Sequence, residues 1–135
     1  MKIFVASSYR NKFHEQIVEL LESKGFEVYN HRTAKLENGN NDDTLKGAAL
    51  GNWKYEKIRL NLHAISDCDA VLVLEPCEYS TAFETGFAFA LKKPIMRFET
   101  ELTKSELYHA LMCEIVDITA FPWEKLEMEI ERSKA

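Results

Sequence analysis

The run Ala70-Val71-Leu72-Val73-Leu74 constrains the chain more than any other feature. A strand with one wet face alternates apolar and polar residues, whereas an unbroken apolar run marks a strand buried on both faces. Such a strand lies inside a parallel sheet and needs helices above and below it. The flanking sequence supplies them. Residues 1–6 form a strand-like run that leads into the polar loop Ser7-Ser8-Tyr9-Arg10-Asn11. Over residues 12–24, Phe13, Ile17, Val18, Leu20 and Leu21 fall at helical spacing, and Gly25 suits a C-terminal cap. Residues 26–29 alternate as a second strand, and residues 53–65 read as a helix with blurred periodicity. After the central run, the pattern predicts a helix over 81–91, closed by Lys92-Lys93-Pro94, and a strand over 95–98. Helical character over 105–112, an edge strand over 114–118 and an amphipathic helix over 123–132 complete the chain.

Alternating strands and helices predict a parallel sheet covered on both faces, joined by right-handed crossovers. Ligands of such sheets sit beyond the carboxyl ends of the strands. The loops after the first and central strands, residues 7–11 and 75–80, therefore become the candidate site. At 135 residues the chain is expected to be one domain, 1–135. Its formal charge of −5 gives no electrostatic case for duplex nucleic acid, and no apolar run reaches the length of a membrane span. Three cysteines, an odd number, and no signal-peptide layout fit a reducing cytoplasmic setting. A small-molecule ligand is the better expectation. Residues 30–52 are polar, turn-rich and poorly periodic, either a functional lid or a tolerated surface insertion.

Several chemistries are excluded by pattern. G-x-G-x-x-G and G-x-x-x-x-G-K-[ST] are absent, and so is C-x-x-C. His14, His31, His63 and His109 are scattered without ligand spacing, so neither a metal nor a cofactor is expected. The positive signal is Glu78-Tyr79-Ser80-Thr81-Ala82-Phe83-Glu84-Thr85-Gly86, which sets two carboxylates at the carboxyl end of the central strand. With a helix beginning at Thr81, Glu84 lies in its first turn, where the helix N-terminus keeps a nucleophilic carboxylate charged. Gly86 then leaves room one turn away for an approaching sugar. Thr81-x-x-Glu84 is equally a capping box, with Glu84 reaching back to the Thr81 amide. Spacing alone favours the cap.

Three blocks resemble the nucleoside 2-deoxyribosyltransferase-like family. They are Phe4-Val5-Ala6-Ser7-Ser8-Tyr9-Arg10-Asn11 with Gly25-Phe26-Glu27-Val28-Tyr29, then Asp67-Cys68-Asp69-Ala70-Val71-Leu72-Val73-Leu74-Glu75-Pro76-Cys77, then Ser80-x-x-x-Glu84-x-Gly86-x-Ala88 with Lys93-Pro94. The resemblance implies an α/β, flavodoxin-like or Rossmann-like three-layer sandwich with a mainly parallel sheet of about five strands. It implies cleavage or exchange of the N-glycosidic bond of a 2′-deoxynucleoside or its 5′-monophosphate, with Glu84 attacking the anomeric carbon to form a glycosyl ester. Tyr9 takes the place of an aromatic that orients the nucleophile. Glu78 and Ser80 contact the sugar, and a Glu78 carboxylate argues for nucleosides over nucleotides. Ser7, Ser8 and Arg10 are candidate phosphate binders.

One position departs from the family pattern. Counting back eight residues from Asp69, where the family carries an acid beside the departing base, gives Asn61. An amide holds a base edge but donates no catalytic proton, so Glu56 or Asp67 would have to serve, or turnover would be slow. A non-catalytic nucleoside- or nucleotide-binding module on the same fold is the alternative, and a flavodoxin-like interaction domain a third. Trp53 and Tyr55 either stack on the base or pack in the core. The resemblance also implies a homo-oligomer, a dimer or higher, with the segment holding Ser105, Glu106, Tyr108 and His109 reaching a neighbour.

Overall fold

The computed structural model describes residues 1–33, 46–100 and 106–134. Strands β1 (Lys2–Ala6), β2 (Glu27–Tyr29), β3 (Ala70–Glu75), β4 (Ile95–Glu99) and β5 (Cys113–Ile115) form one sheet. Their order is β2-β1-β3-β4-β5, and every neighbouring pair is parallel. The central run behaves as its composition demands, since all six residues of β3 are buried. It pairs with β1 through Phe4↔Val71 and with β4 through Val71↔Ile95.

The period of two along each strand divides the core into two layers. On one face Ile3, Val5, Leu72, Leu74 and Met96 pack with helices α1 (His14–Ser23) and α4 (Trp123–Ser133). On the other, Phe4, Ala6, Val71, Val73 and Ile95 pack with α2 (Ala48–Asp67) and α3 (Tyr79–Ala90). Gly25 follows α1 at φ +92°, the left-handed cap that a side chain would strain.

Two features position a site. The strand order reverses between β1 and β3, and at such a switch point the two following loops diverge and leave a crevice. The second is the length of α2. Its 20 residues span about 30 Å, against about 20 Å for the six residues of β3. Its C-terminus feeds directly into β3, so its N-terminal turns overhang the carboxyl edge of the sheet and wall the crevice.

α2 begins five residues before the predicted start. Its first residues, Ala48 to Asn52, are exposed or half-buried and leave no amphipathic stripe in the sequence. Most of the predicted long loop, including Leu36 to Asp43, lies outside the described residues. Residues 105–112 are not an α-helix; a short 3-10 turn covers Leu107–Leu111 and buries none of its residues. The edge strand stops at Ile115, three residues short of the expected end.

Candidate active site

Glu84 occupies the crevice side of α3. It is only 7% exposed, and burial pushes its carboxyl up from 4.5 to about 7. Two expectations change here. α3 starts at Tyr79, with Glu78 as its N-cap residue, so Glu84 is in the second turn and Thr81 is the third helical residue. The Thr81–Glu84 capping box is therefore not formed, and Thr81 instead accepts the Thr85 hydroxyl on its carbonyl at 2.7 Å. The helix dipole fades within the first turn, so desolvation outweighs it and the proton is held more tightly.

Tyr29, at the carboxyl end of β2, closes the far side. Its ring stacks on Phe4 at 5.4 Å, and its hydroxyl donates to Asn61 Oδ1 at 3.4 Å. Burial first, then the Glu84 charge, pushes the phenol up to about 12. Asn61 is buried on the inner face of α2 together with Lys57, one turn earlier. Sequence reasoning missed Tyr29 and Lys57. The signal for Tyr29 was its position at the end of a short strand, and for Lys57 its i,i+4 relation to Asn61.

The loop after β1 is built on a buried polar chain. The Ser7 hydroxyl meets His14 Nδ1, and His14 Nε2 donates to Asn30 Oδ1 at 2.9 Å. Asn30 presents its oxygen there, because the same atom accepts the Arg32 amide while its Nδ2 donates to Glu15. The tautomer follows: His14 Nδ1 is the acceptor and Ser7 the donor. His31 Nε2 stands 3.5 Å from the same Ser7 oxygen. Burial lowers the His14 pKa, and burial, with His14 and Arg32 nearby, takes His31 down to about 3. The Arg32 guanidinium donates to the carbonyls of Ser8, Tyr9 and Asn11 and so sets the course of the loop.

The other predicted residues are spread around this centre. Ser7 is buried, with its proton committed to His14 rather than presented to a phosphate. Ser8 is also buried, and its Oγ accepts the Arg10 amide at 3.1 Å. Tyr9 is 61% exposed, its ring edge-on to His31. Arg10 and Glu78 form an exposed pair at 3.6 Å. They line a cleft of about 220 Å³ with Ser8, Asn11, Pro76 and Thr100. Ser80 is exposed at the start of α3. Gly86 faces outward, about 200° around the helix from Glu84. A Cβ there meets nothing within 4 Å, so the expectation that it relieves crowding beside Glu84 is corrected.

The alternative acids do not reach the crevice. Glu56 is exposed and lies 3.9 Å from Arg59, and Asp67 binds Lys2 at 2.7 Å at the amino edge of the sheet. Trp53 is half-buried, whereas Tyr55 is exposed beneath the Arg59 guanidinium, so core packing does not account for Tyr55. Tyr108 and His109 fold back on their own chain and donate to the buried Glu75 carboxylate at 3.2 and 3.0 Å. Ser105 lies outside the described residues. Among the described residues, no group of three or more His, Cys, Asp or Glu side chains is placed to hold a metal ion.

A family model described as nucleoside 2-deoxyribosyltransferase matches residues 3–133. No curated protein sequence matches the chain. A solved 2-deoxyribosyltransferase from Bacillus psychrosaccharolyticus superposes with a TM-score of 0.67 at 21% identity, covering 94% of this chain and 90% of that one. A CMP N-glycosidase from Clostridium botulinum superposes with a TM-score of 0.57 at 20% identity, covering 94% of this chain and 99% of that one.

Proposed function

The chain belongs to the nucleoside 2-deoxyribosyltransferase family, and from that premise we propose that it cleaves or exchanges the N-glycosidic bond of a 2′-deoxynucleoside through a covalent ester on Glu84. The observation that carries this reading is a buried carboxyl with a pKa of about 7, set at the sheet's switch point beside Tyr29 and Asn61. A carboxylate stripped of water is a stronger nucleophile than a solvated one, and near neutral pH an appreciable fraction is ionised. Glu84 attacks C1′, the C1′–N bond breaks, and its electron pair leaves with the base. Water or a second base then opens the ester, with overall retention. A 2′-deoxy sugar favours this route, because no electron-withdrawing hydroxyl opposes positive charge at C1′.

Asn61 holds an edge of the base, with its carbonyl oriented by the Tyr29 hydroxyl. Ser8, Arg10, Glu78 and Ser80 take the sugar and its 5′ end at the rim. Tyr9 covers the opening as an exposed aromatic. The apolar outer face of α3, with Tyr79 95% exposed and Phe83 beside it one turn on, favours a second copy as partner. The single-domain, cytoplasmic setting expected from composition fits the same reading.

The test is incubation with the deoxynucleosides and their 5′-monophosphates, followed by chromatography for free base. Release that is abolished in Glu84→Ala is the expected outcome. Release that persists in Glu84→Ala removes the nucleophile assignment. The amide at position 61 favours a second reading, a binding module without turnover. Thermal stabilisation by nucleosides with no free base would establish that one instead.

A further inference from the structure

We propose that Lys57 is the proton donor to the departing base, doing from α2 the work that Asn61 cannot do. This rests on the glycosidic reading above. The need for a donor is chemical: a neutral nucleobase leaves poorly as an anion, and a positioned acid removes that barrier.

The surroundings narrow the choice. Glu56 and Asp67 are turned away, to the surface and to the opposite edge of the sheet. His14 has both ring nitrogens engaged, and His31 holds no proton at neutral pH. The Tyr29 phenol, pushed up to about 12, is the weaker acid, and its proton points at Asn61. Lys57 is only 5% exposed and shares the buried stripe of α2 with Asn61. α2 runs antiparallel to the strands, so Lys57 lies about 5–6 Å nearer the carboxyl edge of the sheet than Asn61. That places the amine over the crevice, with Asn61 and Tyr29 below it. Its charge is felt by His31, across the loop that carries Tyr9. Burial lowers its pKa, which makes the ammonium a better donor than a solvated lysine.

The proton balance closes over two steps. In the first, Glu84 Oε bonds to C1′, the C1′–N bond breaks, and a proton passes from Lys57 Nζ to the base nitrogen. The base leaves neutral, and Lys57 is left as a free amine. In the second, water attacks C1′, the ester oxygen returns to Glu84 as carboxylate, and the amine takes the proton from water. In transfer, an incoming base supplies that proton instead.

The experiment compares wild type, Lys57→Gln and Lys57→Arg on bases of graded acidity. The probes are 2′-deoxyuridine with its 5-fluoro and 5-bromo forms, and 2′-deoxyguanosine with its 7-methyl form, whose base leaves without needing a proton. The expected result is a loss of about 10²–10⁴-fold in kcat/KM on the poorest leaving group, shrinking to less than about tenfold on the best. Lys57→Arg behaves like Lys57→Gln, because a guanidinium keeps the charge but gives up no proton. Melting temperature monitors folding, and Lys57→Met replaces the glutamine variant if that one fails to fold. A loss uniform across the series, or activity restored by arginine, overturns the assignment while leaving the glycosidic reading intact. Absence of base release by wild type from every probe overturns both.

Discussion

Replacing Glu84 by glutamine should stabilise the protein, and by an amount that grows with pH. Burial raises this carboxyl from 4.5 to about 7. A carboxyl whose folded pKa exceeds its unfolded value binds its proton more tightly when folded. Its favourable contribution is complete below about pH 4.5 and is lost as pH rises through about 7. At 1.36 kcal/mol per pH unit, ionised Glu84 costs the fold about 3 kcal/mol at pH 8, against about 1 kcal/mol at pH 5. Glutamine keeps the shape and never ionises. The stability gap between Glu84→Gln and wild type should therefore widen by about 2 kcal/mol from pH 5 to pH 8. Urea unfolding at unit pH steps measures it, and taking the difference between the two proteins cancels titrations elsewhere. His31, at about 3, and Tyr29, at about 12, stay silent across that range. A gap that is flat within about 0.5 kcal/mol would refute the claim that desolvation governs this side chain.

In base-release assays, the acid limb of kcat/KM should fall near pH 7, as the Glu84 carboxylate takes up its proton. His14→Ala strips partners from Ser7 and Asn30 in a fully buried position, and should cost about 2–4 kcal/mol by urea unfolding. Arg10→Ala breaks only an exposed pair with Glu78 and should shift stability by less than about 1 kcal/mol. It should raise KM with little change in kcat if Arg10 holds the 5′ end of the substrate, and a loss confined to kcat would contradict that rim role.

Much of the fold was legible because its cause is local. An apolar run five residues long, Ala70 to Leu74, leaves few options besides a central strand, and the register β1-β3-β4 follows from the same period of two. The start of α2 was not legible, because residues that overhang the sheet bury nothing and so carry no amphipathic pattern. The start of α3 was misplaced by two residues, enough to turn Glu84 from a capping side chain into a buried second-turn carboxyl. The spacing Thr81-x-x-Glu84 is compatible with either place; burial decides between them, and burial belongs to the packed structure.

Sequence alone determined the alternation of strands and helices, the acidic charge, and the presence of two carboxylates after the central strand. Those depend on residue order and on nothing distant. The tertiary structure decided which side chains share a dielectric. Tyr29, Asn61 and Glu84 come from three separate elements and meet only because β2 lies beside β1 while α2 and α3 pack on one face of the sheet. Ser7, expected at a phosphate, instead belongs to a buried chain through His14 to Asn30. Desolvation and hydrogen-bond partnership are properties of neighbours in space, and a chain 135 residues long brings together in space residues that its order keeps apart.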